Sequence, residues 1–411
     1  MKNMPQTQQI DAVRNKSGYL LALASVSAIV SAACVAIPMF VIRPFRPQGA
    51  RELEIALAVR HAGPWLAGVC VAAVLIVVFL LWKNVRIGAR IGLICLLLLA
   101  FAGAIFTHIN IFEKMFHPYD SPSFESADEA RVDPDDKVLA VTVGQEARAY
   151  PIRTMGYHHI VNDTVGGVPI AVTYCTLCHT GLVWSRIVDG KLLHFRLAGI
   201  NNGNALLRDE QTSSIWQQST GEAIFGPLKG QQLEVVRSDE LTFALWKSEQ
   251  PHGQVLKPDP LYASEYDPKD WEKHVAKTPT VVDTSRSGIA PHQLMLGVTV
   301  AGQSKAYPIE SILGAKLIQD RVGDQPLIVV VGRDGASIRV FDGMLENRHL
   351  TFAQGTGDQR LTDIDTGSVW NFQGCAIEGT LTGRCLTEID AHKDYWFDWI
   401  NHHPESAVFK N

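Results

Sequence analysis

Three stretches near the N-terminus, residues 18–42, 64–82 and 87–112, are apolar with almost no charge. Each is long enough to cross ~30 Å of hydrocarbon as a helix, so residues 1–112 read as a membrane region with three transmembrane helices. Trp65 and Trp82 bracket the second span as interfacial anchors, and Arg90 can snorkel from the start of the third. Ser31-Ala32-Ala33-Cys34 resembles a lipoprotein cleavage box. Ser31 stands where that box needs an aliphatic residue, so the segment reads as a span. Residues 113–136 turn polar and acidic, with Pro118, Pro122 and Pro134, and read as a linker. From residue 137 the pattern changes to short alternations broken by Gly, Asp and Asn, which predicts strands over 138–143, 147–152, 168–174, 182–188 and 191–197. A second set is predicted over 295–300, 304–309, 326–331, 337–342 and 348–354.

The two sets belong to an internal repeat. Val141-Thr142-Val143-Gly144 and Ala149-Tyr150-Pro151-Ile152 recur as Val298-Thr299-Val300-Ala301 and Ala306-Tyr307-Pro308-Ile309. Asp209, Thr212, Ser214 and Trp216 recur as Asp363, Thr366, Ser368 and Trp370. The expected fold is thus three N-terminal transmembrane helices followed by a β-rich soluble domain, mainly β with some α+β character. It is made of two tandem related lobes packed about a pseudo-twofold. The first repeat spans 137–238 and the second 294–390. An irregular connection with one or two short helices lies at 239–293, and a C-terminal tail at 391–411.

The repeat separates scaffold from chemistry. Residues kept in both copies hold up the fold, whereas residues found in one copy are free for function. His158, His159, Cys175, Cys178 and His179 stand opposite Ala315, Lys316, Gly332, Gly335 and Ala336. All five chemically capable residues are confined to the first copy.

Composition narrows the classes. The 411 residues are 46% hydrophobic and 19% charged, too apolar for a disordered chain. A net charge of -5 without a basic block gives no case for nucleic acid. Lys2, Arg14 and Lys16 in the tail, with Lys83, Arg86 and Arg90 in the second loop, outweigh Arg43, Arg46, Arg51 and Arg60, which Glu52 and Glu54 dilute. This places the soluble part outside a multi-pass cytoplasmic (inner) membrane, facing the periplasm or cell exterior. Of seven cysteines, Cys34, Cys70 and Cys95 lie in apolar runs, where a thiol behaves as a small hydrophobe. Cys375 and Cys385, in a turn-rich stretch, suit a structural disulfide on that side.

Tyr174-Cys175-Thr176-Leu177-Cys178-His179-Thr180 follows an apolar run and carries three possible chemistries. In the first, Cys175 and Cys178 cycle between dithiol and disulfide, with His158 tuning the thiolate, His159 and His179 in support, and Tyr174 and Thr180 shaping the pocket wall. This needs no cofactor, only a redox partner or small-molecule substrate besides the bilayer. In the second, Cys175, Cys178, His158 and His179 bind copper or zinc. In the third, Cys175-x-x-Cys178-His179 attaches haem c, with a distal ligand from His158 or His159. A non-catalytic anchored binding module is the remaining alternative. The acidic and aromatic stretch from Asp390 to Trp399 reads as a short helix capping the second lobe. No phosphate loop, Ser-His-Asp set or paired-carboxylate site stands out.

Tyr157-His158-His159-Ile160-Val161-Asn162-Asp163, Tyr174-Cys175-Thr176-Leu177-Cys178 and Gly221-Glu222-Ala223-Ile224, within Trp216 to Gly230, closely resemble bacterial proteins of the domain-of-unknown-function 3179 family. The resemblance covers roughly residues 137–390. It implies export or membrane anchoring, and, because some members carry selenocysteine in the cysteine motif, redox chemistry at Cys175 or Cys178. His158 matches the family histidine before Ile-Val-Asn-Asp. His159 departs from it, that position being more often acidic, and the variable residue after the second cysteine weakens the haem reading. The family has no settled activity to carry over.

Overall fold

Uncharged runs of Ala, Leu, Val and Ile satisfy their backbone polar groups within the segment by forming helices, here α1 (Gln6–Val41), α2 (Ala50–Leu81) and α3 (Ile87–Phe106). All three are long and apolar enough to cross a membrane. They belong to a computed structural model that describes residues 6–354 and 360–410. The second helix starts at Ala50, well before the expected residue 64, and carries Pro64 within it. The charges ahead of Pro64 do not stop it, and Glu52 pairs with Arg46. The third helix ends at Phe106, where Thr107 turns its hydroxyl onto the Ala104 carbonyl, 2.7 Å away. Small residues let the helices approach closely. Ser31 Oγ donates to the Ala100 carbonyl at 2.8 Å, and a Cβ on Gly103 would lie 2.5 Å from the Ser31 Oγ.

The chain divides into two compact units, Met1–Lys114 and Met115–Asn411, with the short helix α4 (Ile111–Met115) at the division. In the second unit β1 (Phe124–Ser126) is followed by β2 (Lys137–Val143), β3 (Glu146–Pro151), α5 (Ile152–His158), β4 (Ile160–Val165), β5 (Val168–Cys175) and β6 (Thr180–Ser185). Then come β7 (Ile187–Val188), β8 (Lys191–Leu192), β9 (Phe195–Asn201), β10 (Asn204–Asp209), β11 (Ile215–Gln217) and β12 (Ala223–Phe225). Next are β13 (Asp239–Thr242), α6 (Phe243–Glu249), β14 (Gln254–Leu256) and α7 (Trp271–Val275). The same succession then recurs as β15 (Leu294–Val300), β16 (Gln303–Pro308), α8 (Ile309–Ala315), β17 (Leu317–Val322), β18 (Gln325–Val331) and β19 (Ile338–Asp342). It continues as β20 (Met344–Leu345), β21 (Arg348–His349), β22 (Phe352–Gln354), β23 (Leu361–Asp363), β24 (Val369–Trp370), β25 (Ala376–Glu378), β26 (Ala391–Tyr395), α9 (Trp396–His402) and β27 (Ala407–Val408).

Sheet order β14-β3-β2-β13, extended by β1, has its counterpart in β27-β16-β15-β26. Likewise β4-β5-β6 corresponds to β17-β18-β19, and β9 through β12 to β22 through β25. The two apolar cores are built from matching residues. Leu139, Val141, Tyr150, Ile152, Val161 and Val172 fill one; Leu296, Val298, Tyr307, Ile309, Ile318 and Val329 fill the other. The halves are not independent. Tyr395 N–H donates to the Cys178 carbonyl at 2.8 Å, and the buried Lys393 of β26 pairs with Glu240 of β13 at 2.9 Å. Residues 117–136, read as a linker, also take part: β1 pairs with β14, and Asp136 holds Arg153.

Cys375 and Cys385 are joined by a disulfide that brackets β25 and the turn after it. Replacing both by alanine is expected to lower the stability of the second unit by about 2–4 kcal/mol, since a short covalent loop is removed from the unfolded chain. Urea unfolding of the double variant checks this, with equal midpoints counting against it.

Candidate functional site

Strands β5 and β6 stay in register to their ends, with Tyr174 opposite Gly181 and Cys175 opposite Thr180. Thr176, Leu177, Cys178 and His179 therefore form the turn. His179 closes it in the left-handed conformation, φ 62°, a strained choice for a residue with a Cβ. Cys175 and Cys178 are free thiols, 2% and 0% exposed. Cys175 Sγ donates to the Gly203 carbonyl at 3.6 Å, and Cys178 Sγ to the Cys175 carbonyl at 3.8 Å.

A buried polar network surrounds the pair. Asn204 Nδ2 lies 3.2 Å from Cys178 Sγ, 3.0 Å from Gln218 Oε1 and 2.8 Å from Asp398 Oδ2. Asn204 Oδ1 accepts from Gln217 Nε2 at 2.5 Å and from Ser219 N at 3.1 Å. Gln218 Nε2 donates to Thr173 Oγ1 and to the Thr180 carbonyl, both at 3.1 Å. Thr180 Oγ1 donates to Asp394 Oδ1 at 2.9 Å. Asp394 and Asp398, buried to 1% and 0% exposure, come from β26 and α9 at the far end of the chain. Burial, reinforced by the neighbouring Asp398 charge, pushes the Asp394 carboxyl well above the usual range. Burial pushes the Cys178 thiol well up as well, helped by its bond with Cys175 and by the Asp398 and Asp394 charges.

His179 points to the opposite side of the turn. Its Nε2 donates to Glu272 Oε1 at 2.8 Å, which leaves Nδ1 as the acceptor facing the Tyr174 hydroxyl at 3.2 Å. Lys137 Nζ reaches the same Glu272 oxygen at 2.5 Å. The bond from His179 holds the Glu272 carboxyl far below the carboxylate range, with Lys137 adding to it against the cost of burial.

His158, expected to tune the thiolate, is engaged elsewhere. Its Nδ1 donates to the His117 carbonyl at 2.7 Å, and Nε2 lies 3.0 Å from the Tyr266 hydroxyl. Burial pushes its pKa below the ordinary value, which disfavours the positive charge a thiolate would need beside it. His159 packs on Phe116, ring centroids 4.5 Å apart, and burial takes it down to about 4. Its left-handed backbone, φ 62°, is shared by Lys316 in the second half and belongs to the end of the helix rather than to any chemistry. The set proposed for a metal therefore does not converge. Among the described residues, no group of three or more His, Cys, Asp or Glu side chains is arranged to hold an ion.

The partners that sequence reasoning missed are Thr173, Asn204, Gln218, Asp394 and Asp398. A signal for four of them was present. Ile160↔Thr173 in β4–β5 matches Leu317↔Val330 in β17–β18, so Thr173 has Val330 as its counterpart. Val138↔Leu241 and Met295↔Asp394 are likewise matched pairings, and Asp398 and Leu245 each stand third in their helices. Gln218 follows β11 as Phe372 follows β24. Val, Leu, Leu and Phe thus take the places of Thr, Asp, Asp and Gln, and Leu241, Leu245 and Phe372 pack together in an apolar cluster. Comparing the two copies beyond the cysteine motif reveals all of these partners except Asn204.

The chain is thus a protein with three apolar N-terminal helices and a β-rich unit enclosing a dithiol within a buried polar network. A family model described as a protein of unknown function, DUF3179, matches residues 116–406, and the chain belongs to that family. No curated protein and no solved structure matches it.

Proposed function

We propose that the second unit is a thiol–disulfide redox protein, anchored in the inner membrane and facing the periplasm or cell exterior, in which Cys175 and Cys178 cycle between dithiol and disulfide. The observation that carries this reading is the placement of two adjacent free thiols in a buried polar network, four of whose side chains (Thr173, Gln218, Asp394 and Asp398) have Val330, Phe372, Leu241 and Leu245 as counterparts around the matching turn. A fold able to fill that position with Leu and Phe has no structural need for buried carboxylates, which are costly to desolvate. The Cys375–Cys385 disulfide favours the outward orientation.

In the reaction, Cys175 attacks a partner disulfide. Cys178 then resolves the mixed disulfide, so the two cysteines are oxidised and the partner leaves as two thiols. Because both sulfurs are buried, the partner is a small disulfide or one borne on a segment slender enough to enter beside Gly203. The same set of contacts gives no support to copper, zinc or haem c. Both His179 nitrogens and both His158 nitrogens face other groups, and ligation of a haem by His179 would have to break its bond to Glu272 or to Tyr174.

Thiol trapping after equilibration with reduced and oxidised dithiothreitol tests the reading. Cys175 and Cys178 are expected to be trapped as dithiol or disulfide according to the ratio, with a midpoint above about -300 mV. A lower midpoint, or thiols that never oxidise, would leave the pair a structural feature.

A further inference from the structure

Among other clusters outside the cysteine turn, the aromatic and histidine group around Tyr157, Tyr262 and Tyr266 is closed on itself by its own hydrogen bonds. The cleft beside Arg333 and Trp370 shows nothing that selects a ligand. The carboxylates beside Cys178 are different. Asp398 is fully buried, and its Oδ1 has no hydrogen-bond partner. The other oxygen, Oδ2, shares the Asn204 amide nitrogen with Cys178 Sγ, at 2.8 and 3.2 Å. Thr180 Oγ1 links the two acids, 2.9 Å from Asp394 Oδ1 and 3.4 Å from Asp398 Oδ2. Two adjacent buried carboxyls resist being ionised together, and the unpartnered Oδ1 of Asp398 is an oxygen free to accept a proton.

We propose that Asp394 and Asp398 form the proton store of the dithiol, with Asp398 taking the Cys178 proton when the mixed disulfide is resolved. This rests on the redox reading above. Before that step Cys175 is joined to the partner sulfur and Cys178 is a thiol held in its protonated form. The Cys178 proton passes to Asp398, and the thiolate electron pair attacks the Cys175 sulfur. The Cys175–Cys178 bond forms, the bond from Cys175 to the partner sulfur breaks, and the departing partner thiolate leaves with the bonding pair and is protonated. In the reverse direction the store returns the proton to Cys178. The titratable groups facing the pair are Cys175 and Cys178 on the turn, His392 on β26, His402 on α9 and His403 just after it. His402 Nε2 lies 3.5 Å from Asp398 Oδ1. Burial keeps His392 and His403 neutral down to about pH 4, so neither competes for the transferred proton near neutrality. Leu241 and Leu245, on β13 and α6 of the first half, occupy the matching positions, and no cysteine stands in the matching turn of the second half.

The test uses the full chain with Cys34, Cys70 and Cys95 replaced by alanine, leaving only the pair to react. Its probe is 4,4′-dithiodipyridine, a small neutral disulfide that releases one chromophoric thiol when the mixed disulfide forms and another when it is resolved. In Asp398→Asn the first release should keep its rate, whereas the second should slow roughly 100-fold at neutral pH and recover as pH rises. Asp398→Glu should restore part of the rate, and Asp394→Asn should shift the pH profile of the second step alone. If the second release is unchanged in both Asn variants, or if both releases slow equally, the proton store is overturned while the redox reading stands. If the parent chain gives no first release, the redox reading falls and takes this proposal with it. Should the Asn variants fail to fold, infrared difference spectra of the parent chain decide. Disulfide formation should change the carboxylic acid C=O band, and a flat carboxyl region would overturn the proposal.

Discussion

Replacing Arg339 by methionine is expected to destabilise the second unit by about 3–5 kcal/mol, because Asp239 and Glu249 lose the buried cation that pairs with both, and Glu388 is left with Arg237. Arg339 is 7% exposed on β19. Its Nη2 donates to Asp239 at 2.7 Å and to Glu249 at 2.9 Å, Nη1 donates to Glu249 at 3.0 Å, and Nε lies 3.6 Å from Glu388. The guanidinium also lies over the Phe372 ring, 4.7 Å from its centroid. The cation thus ties the second half to β13 and α6 of the first. Burial, and then the Asp239 charge, already push the Glu388 carboxyl up to about 8. An acid whose folded pKa is raised binds more protons folded than unfolded, so its contribution is lost as pH rises from the unfolded value through 8. Without Arg339 that loss should grow, making the variant weakest above pH 8 and closer to the parent near pH 5. Denaturant unfolding at both pH values measures this. A loss below about 1 kcal/mol at pH 8 would show that the carboxylates find other partners.

Trp370→Ala is expected to cost about 3–5 kcal/mol, and Trp370→Phe about 1.5–3 kcal/mol. The indole is fully buried against Phe352, Leu350 and Leu361, and Nε1 donates to Asp363 Oδ2 at 2.9 Å. Asp363 in turn holds the Thr366 backbone N–H at 2.6 Å and the Thr366 hydroxyl at 2.8 Å, and Thr366 meets Ser368. The first half repeats the knot, with Trp216 donating to Asp209 at 2.9 Å. Phenylalanine at either position should therefore cost a similar amount. Only Trp216→Phe should also alter thiol reactivity, because Gln217 and Gln218 come directly after it and hold Asn204. Paired unfolding and alkylation measurements separate the two effects, and equal changes in alkylation would count against the asymmetry.

Local pattern located most of the framework strands within a residue or two. Those expected at 138–143, 147–152 and 168–174 are β2, β3 and β5, and those at 295–300, 304–309 and 326–331 are β15, β16 and β18. Strand β4 was missed because Asn162, Asp163 and Thr164 break its alternation. Tertiary contacts satisfy the first two of these: Asn162 bonds the Phe195 backbone, and Asp163 meets Arg148 and Tyr150. Helices α5 and α8 have seven residues each, too few for a helical period to emerge.

The sequence by itself determined the membrane-length apolar runs, the β-rich character of the chain beyond them and the confinement of the cysteines and their neighbouring histidines to one copy. All are properties of local order or of comparison along the chain. Only the tertiary structure decided which side chains serve the thiols. His158, close to the cysteines in sequence, faces His117 and Tyr266, whereas Asp394 and Asp398, more than two hundred positions away, close over Thr180 and Asn204. The reason is geometric. Strand β26 and helix α9 of the second half pack on the turn of the first, and a contact of that range leaves no periodic mark in the residues that make it.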